Sequence, residues 1–92
     1  MDSLEDLRKS IDNIDNAIVA MLAERFKVTT RVGHYKASNE MPAKDAAREA
    51  SQHKRMHELS EQYGLDPDLA SSILDTVIAK VVESHEQIAK AN

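Results

Sequence analysis

From Ser3 to Val32 the chain carries neither glycine nor proline. Within that stretch apolar residues recur at Leu4, Leu7, Ile11, Ile14, Ile18 and Met21, in alternating steps of three and four. This is the period of one face of an α-helix. Ser3 followed by Asp6 reads as an N-cap with an acidic first turn. The seam continues through Val28 and Val32, and a lone glycine such as Gly33 costs a helix only about 1 kcal/mol, too little to stop it. The pattern predicts a helix from Leu4 to about Ala37. About 34 residues at 1.5 Å each span about 50 Å, whereas a compact domain of this length has a radius of gyration of about 12 Å. Such a helix overhangs its own globule, and its overhang is apolar. A second copy of the chain is the simplest cover, because two-fold dimers dominate homo-oligomers. An intertwined helical dimer is therefore expected. The alternative is a monomeric three-helix bundle whose first helix breaks, most readily at Gly33.

Downstream, the remaining glycine and the two prolines punctuate the chain. Ser38 to Pro42 is a polar connector, and Pro42 favours an extended residue before it and a helix start after it. A second helix is expected over Lys44 to Tyr63, rich in alanine and charge, with Gly64 closing it. Asp66-Pro67 then reads as N-cap and first helical residue. The third helix should run to about Ala89 with an apolar face of Leu69, Ile73, Leu74, Val77, Ile78, Val81, Val82 and Ile88. No internal repeat or low-complexity segment interrupts this order. The expectation is an all-α fold with one long and two medium helices, in one domain over residues 1–92.

Composition narrows the chemistry. There are no cysteines, which removes disulfide frameworks, thiolate nucleophiles and cysteine-ligated zinc together. The net charge is -4 and aromatics are 3% of residues, a poor match to a nucleic-acid module, which needs a basic stripe or stacking rings. Met1 to Asp6 is acidic and lacks the basic and apolar regions of a signal peptide, and no apolar run approaches membrane-spanning length. A cytoplasmic setting without membrane or nucleic-acid partners is expected. His53 and His57 lie four apart but have no third ligand at useful spacing, so no metal is expected. No phosphate-cradling loop or nucleophile elbow occurs.

What stands out is charge where the seam should be apolar. Stepping on from Ile18 and Met21, the next seam position is Arg25. A buried arginine needs an anion to meet. That anion is either an internal partner, Glu49 or Asp45, or a ligand. Lys36 lies eleven residues on, three turns away on nearly the same face. Arg8 flanks the seam near the other end, too far along the helix to meet Lys36, yet able to approach Arg25 of the second copy in an antiparallel dimer. On the second helix Asp45, Arg48, Glu49 and Gln52 form a polar stripe at i, i+3, i+4 and i+7, the pattern of a solvated face or of a binding wall. His85 falls near the apolar line of the third helix, where a satisfied core histidine and a ligand-binding one look alike. Fixed cations with few acid–base candidates suit the binding of a small polyanion, and catalysis by positioning and electrostatics.

The order and spacing of these residues resemble the all-α (type II) chorismate mutases over nearly the whole chain. "LRKSIDNIDNAIVAMLAERFKVTTRVGHYKA" resembles that family's first helix through Leu7-Arg8, Ile11-Asp12, Ile14-Asp15, Leu22-Ala23-Glu24-Arg25, Val32-Gly33 and Lys36. "MPAKDAAREASQ" is similar to its P-x-x-D-x-x-R-E stretch, and "GLDPDLASSIL" to the turn into its last helix. The resemblance implies conversion of chorismate to prephenate by a sigmatropic rearrangement, without a cofactor, in aromatic amino-acid biosynthesis. It implies that Arg8 from the neighbouring subunit and Arg25 hold the substrate carboxylates. Lys36 would donate to the ether oxygen, where negative charge grows as the bond breaks. Glu49, with the backbone near Asp45, would bind the ring hydroxyl, and Arg48 would complete the cationic wall. The enteric pattern has a serine and a glutamine facing the ligand where this chain has Val81 and His85. An imidazole N–H can serve in the glutamine's place, from a neutral or a protonated ring. Gln87 would point to a different face.

Two other functions fit parts of this pattern. An isochorismate-pyruvate lyase shares the fold, the arginines and the lysine. A non-catalytic helical dimerisation module explains the long helix but not the ordered cations. The sequence names no aromatic-pathway enzyme as partner.

Overall fold

The structure, a computed structural model, describes residues 2–91. It is all-α, with α1 over Leu4–Ser38, α2 over Ala46–Tyr63 and α3 over Pro67–Ala91. The start of α1 is a capping box. The Ser3 hydroxyl accepts from the Asp6 N–H at 3.1 Å, and the Asp6 carboxylate accepts from the Ser3 N–H at 3.3 Å. The helix then runs unbroken through Gly33 to Ser38, as the periodicity requires. It ends where Glu40 adopts a left-handed conformation, φ 54°, which lets the Met41 N–H reach back to the Lys36 carbonyl at 2.8 Å. That geometry satisfies carbonyls the helix end would otherwise leave open.

The second helix starts later than the sequence reading, at Ala46 rather than Lys44. The cause is Asp45, whose carboxylate caps the helix by accepting from the Arg48 N–H at 3.0 Å. Pro42 contributes its fixed φ to the connector instead of to the first helical turn. Gly64 closes α2 in the left-handed conformation, φ 72°, and Asp66 opens α3 with its carboxylate on the Asp68 N–H at 2.9 Å. The last helix extends to Ala91, two residues beyond the expected end at Ala89.

α3 is the middle of the arrangement and packs against both α1 and α2. The α2–α3 contact includes a polar clasp. His53 Nε2 donates to Asp75 Oδ1 at 2.9 Å, and its Nδ1 accepts from Ser71 Oγ at 3.2 Å. The apolar core of one copy is thin. Ala70 and Leu74 are its buried hydrophobic residues, each 2% exposed. The α1 seam is open by contrast, with Ile14 59% and Met21 65% exposed, and Leu7, Ile11 and Ile18 similarly bare. The shape follows from the long helix: 57 × 24 × 14 Å, with a radius of gyration of 16.6 Å, well above the roughly 12 Å of a compact domain of this length.

Candidate active site

The C-terminal half of α1, the start of α2 and the middle of α3 enclose a cleft of about 390 Å³. Each wall has a distinct character. α1 contributes Arg25, Val28, Thr29, Val32 and Lys36, which recur at helical spacing and so share one face. The connector adds Ala43, and the first turns of α2 add Asp45, Arg48, Glu49 and Gln52. α3 supplies an apolar wall of Ile78, Val81 and Val82, ending at His85. The charged groups and the greasy surface face each other across a space suited to a small ligand with an anionic part and an apolar part.

Arg25 is half-buried, and its Nη2 donates to Gln52 Oε1 at 3.1 Å. Its partner within the chain is therefore a neutral amide, and neither Glu49 nor Asp45 compensates its charge. Glu49 is engaged elsewhere: both of its carboxylate oxygens accept from Lys44 Nζ, at 2.9 and 3.0 Å. Asp45 spends its carboxylate on the α2 cap, so what it offers the cleft is backbone. Lys36 Nζ rests on the Ala43 carbonyl at 3.3 Å, a neutral acceptor that an anion can displace. Arg25 and Lys36 thus carry formal charge with only dipoles as partners, in a partly enclosed space. Such groups attract an anion.

His85 is 4% exposed. Its Nε2 sits 2.7 Å from the Thr29 carbonyl oxygen, so Nε2 carries the proton and donates. Nδ1 is buried without a partner. The ring fits against Gly33, where a Cβ would lie 2.7 Å from His85 Cδ2. The absence of a side chain at Gly33 is what lets α3 come this close to α1. His85 is thus a core histidine with one bond made and one nitrogen open, at the edge of the cleft.

The cleft unites Arg25, Lys36, Asp45, Arg48, Glu49, Val81 and His85. Arg8 is exposed on the second turn of α1, about 25 Å along the helix from Arg25, and has no place at the cleft of its own chain. Gln52 is the functional candidate that charge-based reading underweights. Its position at the end of the Asp45 stripe was its signal, and its amide is what orients Arg25. Thr29 is another, acting through its backbone carbonyl, which no side-chain pattern can reveal. Among the described residues no group of three or more His, Asp or Glu is placed to hold a metal ion, and no helix is long and apolar enough to cross a membrane.

Fold and cleft together define a small helical protein with a cleft lined by fixed charges and an apolar wall. The chain belongs to the chorismate mutase type II family, whose model matches residues 7–86. It is similar to a chorismate mutase of Methanocaldococcus jannaschii, 30% identical over 78 residues, covering 85% of this chain and 79% of that protein. It is also similar to a 4-amino-4-deoxychorismate mutase of Streptomyces pristinaespiralis, 26% identical over 86 residues, covering 94% of this chain and 67% of that protein. A bifunctional chorismate mutase/prephenate dehydratase of Buchnera aphidicola is 27% identical over 88 residues, covering 96% of this chain but 23% of that longer protein.

Proposed function

We propose that the chain rearranges chorismate to prephenate in a homodimer, by holding the substrate in a reactive shape and stabilising the charge that develops as its ether bond breaks. The observation that carries this reading is the cleft in which Arg25 and Lys36 meet neutral partners opposite the apolar wall of α3. Arg25 and Arg48 bind carboxylates in bidentate fashion. Lys36 exchanges the Ala43 carbonyl for the ether oxygen, which becomes the stronger acceptor as negative charge grows on it. Glu49 and the backbone at Asp45 receive the ring hydroxyl, and Val81 packs on the ring. No proton transfer is required, so the absence of an obvious general base is no obstacle.

The dimer supplies two things one copy lacks. It covers the open α1 seam, an exposed apolar run far longer than a monomer ordinarily tolerates. It also brings Arg8 of one copy toward Arg25 of the other when the two long helices run antiparallel, so each site draws one arginine from its neighbour. The apolar hollow beside Arg25, lined by Ile14, Ala17, Ile18, Met21 and Leu22, is where the second copy's seam would seat.

The test is direct. The purified chain is mixed separately with chorismate and with isochorismate, and prephenate, salicylate and pyruvate are measured. Prephenate from chorismate is expected, together with its loss in a folded Lys36→Ala variant. Salicylate and pyruvate from isochorismate alone would replace the mutase with the lyase. No turnover, and no thermal shift with a bicyclic transition-state analogue, would leave a non-catalytic helical module.

A further inference from the structure

We propose that Lys44 sets substrate specificity through Glu49, favouring a ring hydroxyl over a ring ammonium at the substituent Glu49 receives; this rests on the assignment of Glu49 to that substituent. Lys44 lies outside the cleft, with its side chain 63% exposed, while the Glu49 side chain lies inside it and is 22% exposed. Lys44 Nζ reaches both carboxylate oxygens, at 2.9 and 3.0 Å. The lysine therefore grips the carboxylate from its solvent side and leaves the other side to the ligand.

The consequence follows from what each substituent needs. A hydroxyl needs an acceptor, and a carboxylate has about four lone-pair sites, of which Lys44 occupies two. An alkylamine, protonated at neutral pH, needs an acceptor and a counter-charge. Here the counter-charge is already shared with Lys44, and Arg25, Lys36 and Arg48 all line the same cleft. Asp45 is the poorer acceptor, since one of its carboxylate oxygens is taken by the α2 cap. An incoming ammonium thus finds its direct counter-charge, Glu49, already shared with Lys44, in a cleft where Arg25, Lys36 and Arg48 outnumber Asp45 and Glu49. The hydroxyl is indifferent to that balance. One relative of this chain is named for the amino substrate, which makes the choice between the two substituents a real one for this fold.

The effect should be modest, because an ion pair with one exposed partner is partly screened. The experiment compares kcat/KM for chorismate and for 4-amino-4-deoxychorismate in the wild type, Lys44→Gln and Lys44→Arg. The wild type should prefer chorismate. Lys44→Gln should move the ratio about fivefold toward the amine, and Lys44→Arg, which keeps the charge, should hold the wild-type ratio. If the amine is turned over too slowly to measure, its inhibition constant against chorismate is read instead, with the same shift expected. A merely structural lysine would lower both rates together and leave the ratio fixed. An unchanged ratio in Lys44→Gln, with chorismate still turned over, overturns the role of Lys44. Failure of the wild type to act on chorismate overturns the mutase reading itself.

Discussion

Gly33→Ala is a substitution whose sign depends on how closely α3 packs at Gly33. In a solvent-exposed helix it would stabilise by about 1 kcal/mol, the difference in helix propensity. In this chain the new Cβ would lie 2.7 Å from His85 Cδ2, 2.9 Å from Ile88 Cδ1 and 3.2 Å from His85 Nε2. Ordinary carbon contacts begin near 3.5 Å, so the ring must retreat by about 0.8 Å. Its Nε2 is only 2.7 Å from the Thr29 carbonyl, and such a retreat carries that bond past its useful range. Losing the bond costs about 1 kcal/mol, and overpacking adds roughly 1–3 kcal/mol. Against the propensity gain, the variant should be less stable by about 2 kcal/mol. Urea unfolding followed by helical circular dichroism measures this, at fixed protein concentration because association contributes to stability. A His85→Ala background supplies the control. With the ring gone only Ile88 Cδ1, the flexible end of a side chain, remains in the way and can turn into the space the ring vacates, so Gly33→Ala should there be neutral to stabilising, giving a coupling of about 2–3 kcal/mol in the double-mutant cycle. A Gly33→Ala protein as stable as wild type, or an equal effect in both backgrounds, would refute the contact as the reason for the glycine.

Arg25→Ala should lower kcat/KM at least a hundredfold, since it removes a charged partner for a substrate carboxylate; retention of more than a tenth of the activity would move the carboxylate elsewhere. Ile14→Asp combined with Ile18→Asp places charge in the exposed α1 seam and should abolish dimerisation in sedimentation experiments, with loss of activity, whereas an active monomer would refute the shared site. A neutral His85 has already given its one N–H to Thr29, so only the protonated ring has a second to donate from Nδ1. If the open Nδ1 of His85 serves the substrate, His85→Ala should lower kcat more than tenfold while the protein stays folded and associated. A His85→Ala protein that loses stability but keeps a near-wild-type kcat would make His85 a packing residue only.

The helices were legible because their signals are local. Period, caps and the Gly64 stop placed α1 and the α2–α3 turn within a residue or two, and the start of α2 slipped because two start signals, Pro42 and Asp45, lie close together. The cation set was legible for a different reason: Arg25 breaks an apolar seam, and breaks in a pattern are visible in one dimension. What stayed hidden was the pairing. Arg25 turns to Gln52, not to an acid, and Glu49 turns to Lys44. The first choice depends on how far α2 stands from α1, a distance set by three-dimensional packing on α3, and the second on the course of the backbone into the Asp45 cap. His85 shows the limit most clearly. Its place on the apolar line was plain, but its bond is to a main-chain carbonyl made reachable by Gly33, and neither the bond nor the close approach leaves a trace in side-chain chemistry.

The contact between Lys36 and the Ala43 carbonyl has a consequence for how this chain can change over evolutionary time. A main-chain oxygen is the same whatever residue bears it, so this contact leaves the identity of position 43 open, subject only to a side chain small enough for the cleft wall it belongs to. The length of the connector is a different matter. One residue more or less between α1 and α2 would carry that oxygen away from the ammonium and rotate the Asp45 cap with it. Substitutions there should accumulate with little effect, while insertions and deletions should be rejected. The segment that reads as the least constrained in composition is thus among the most constrained in count.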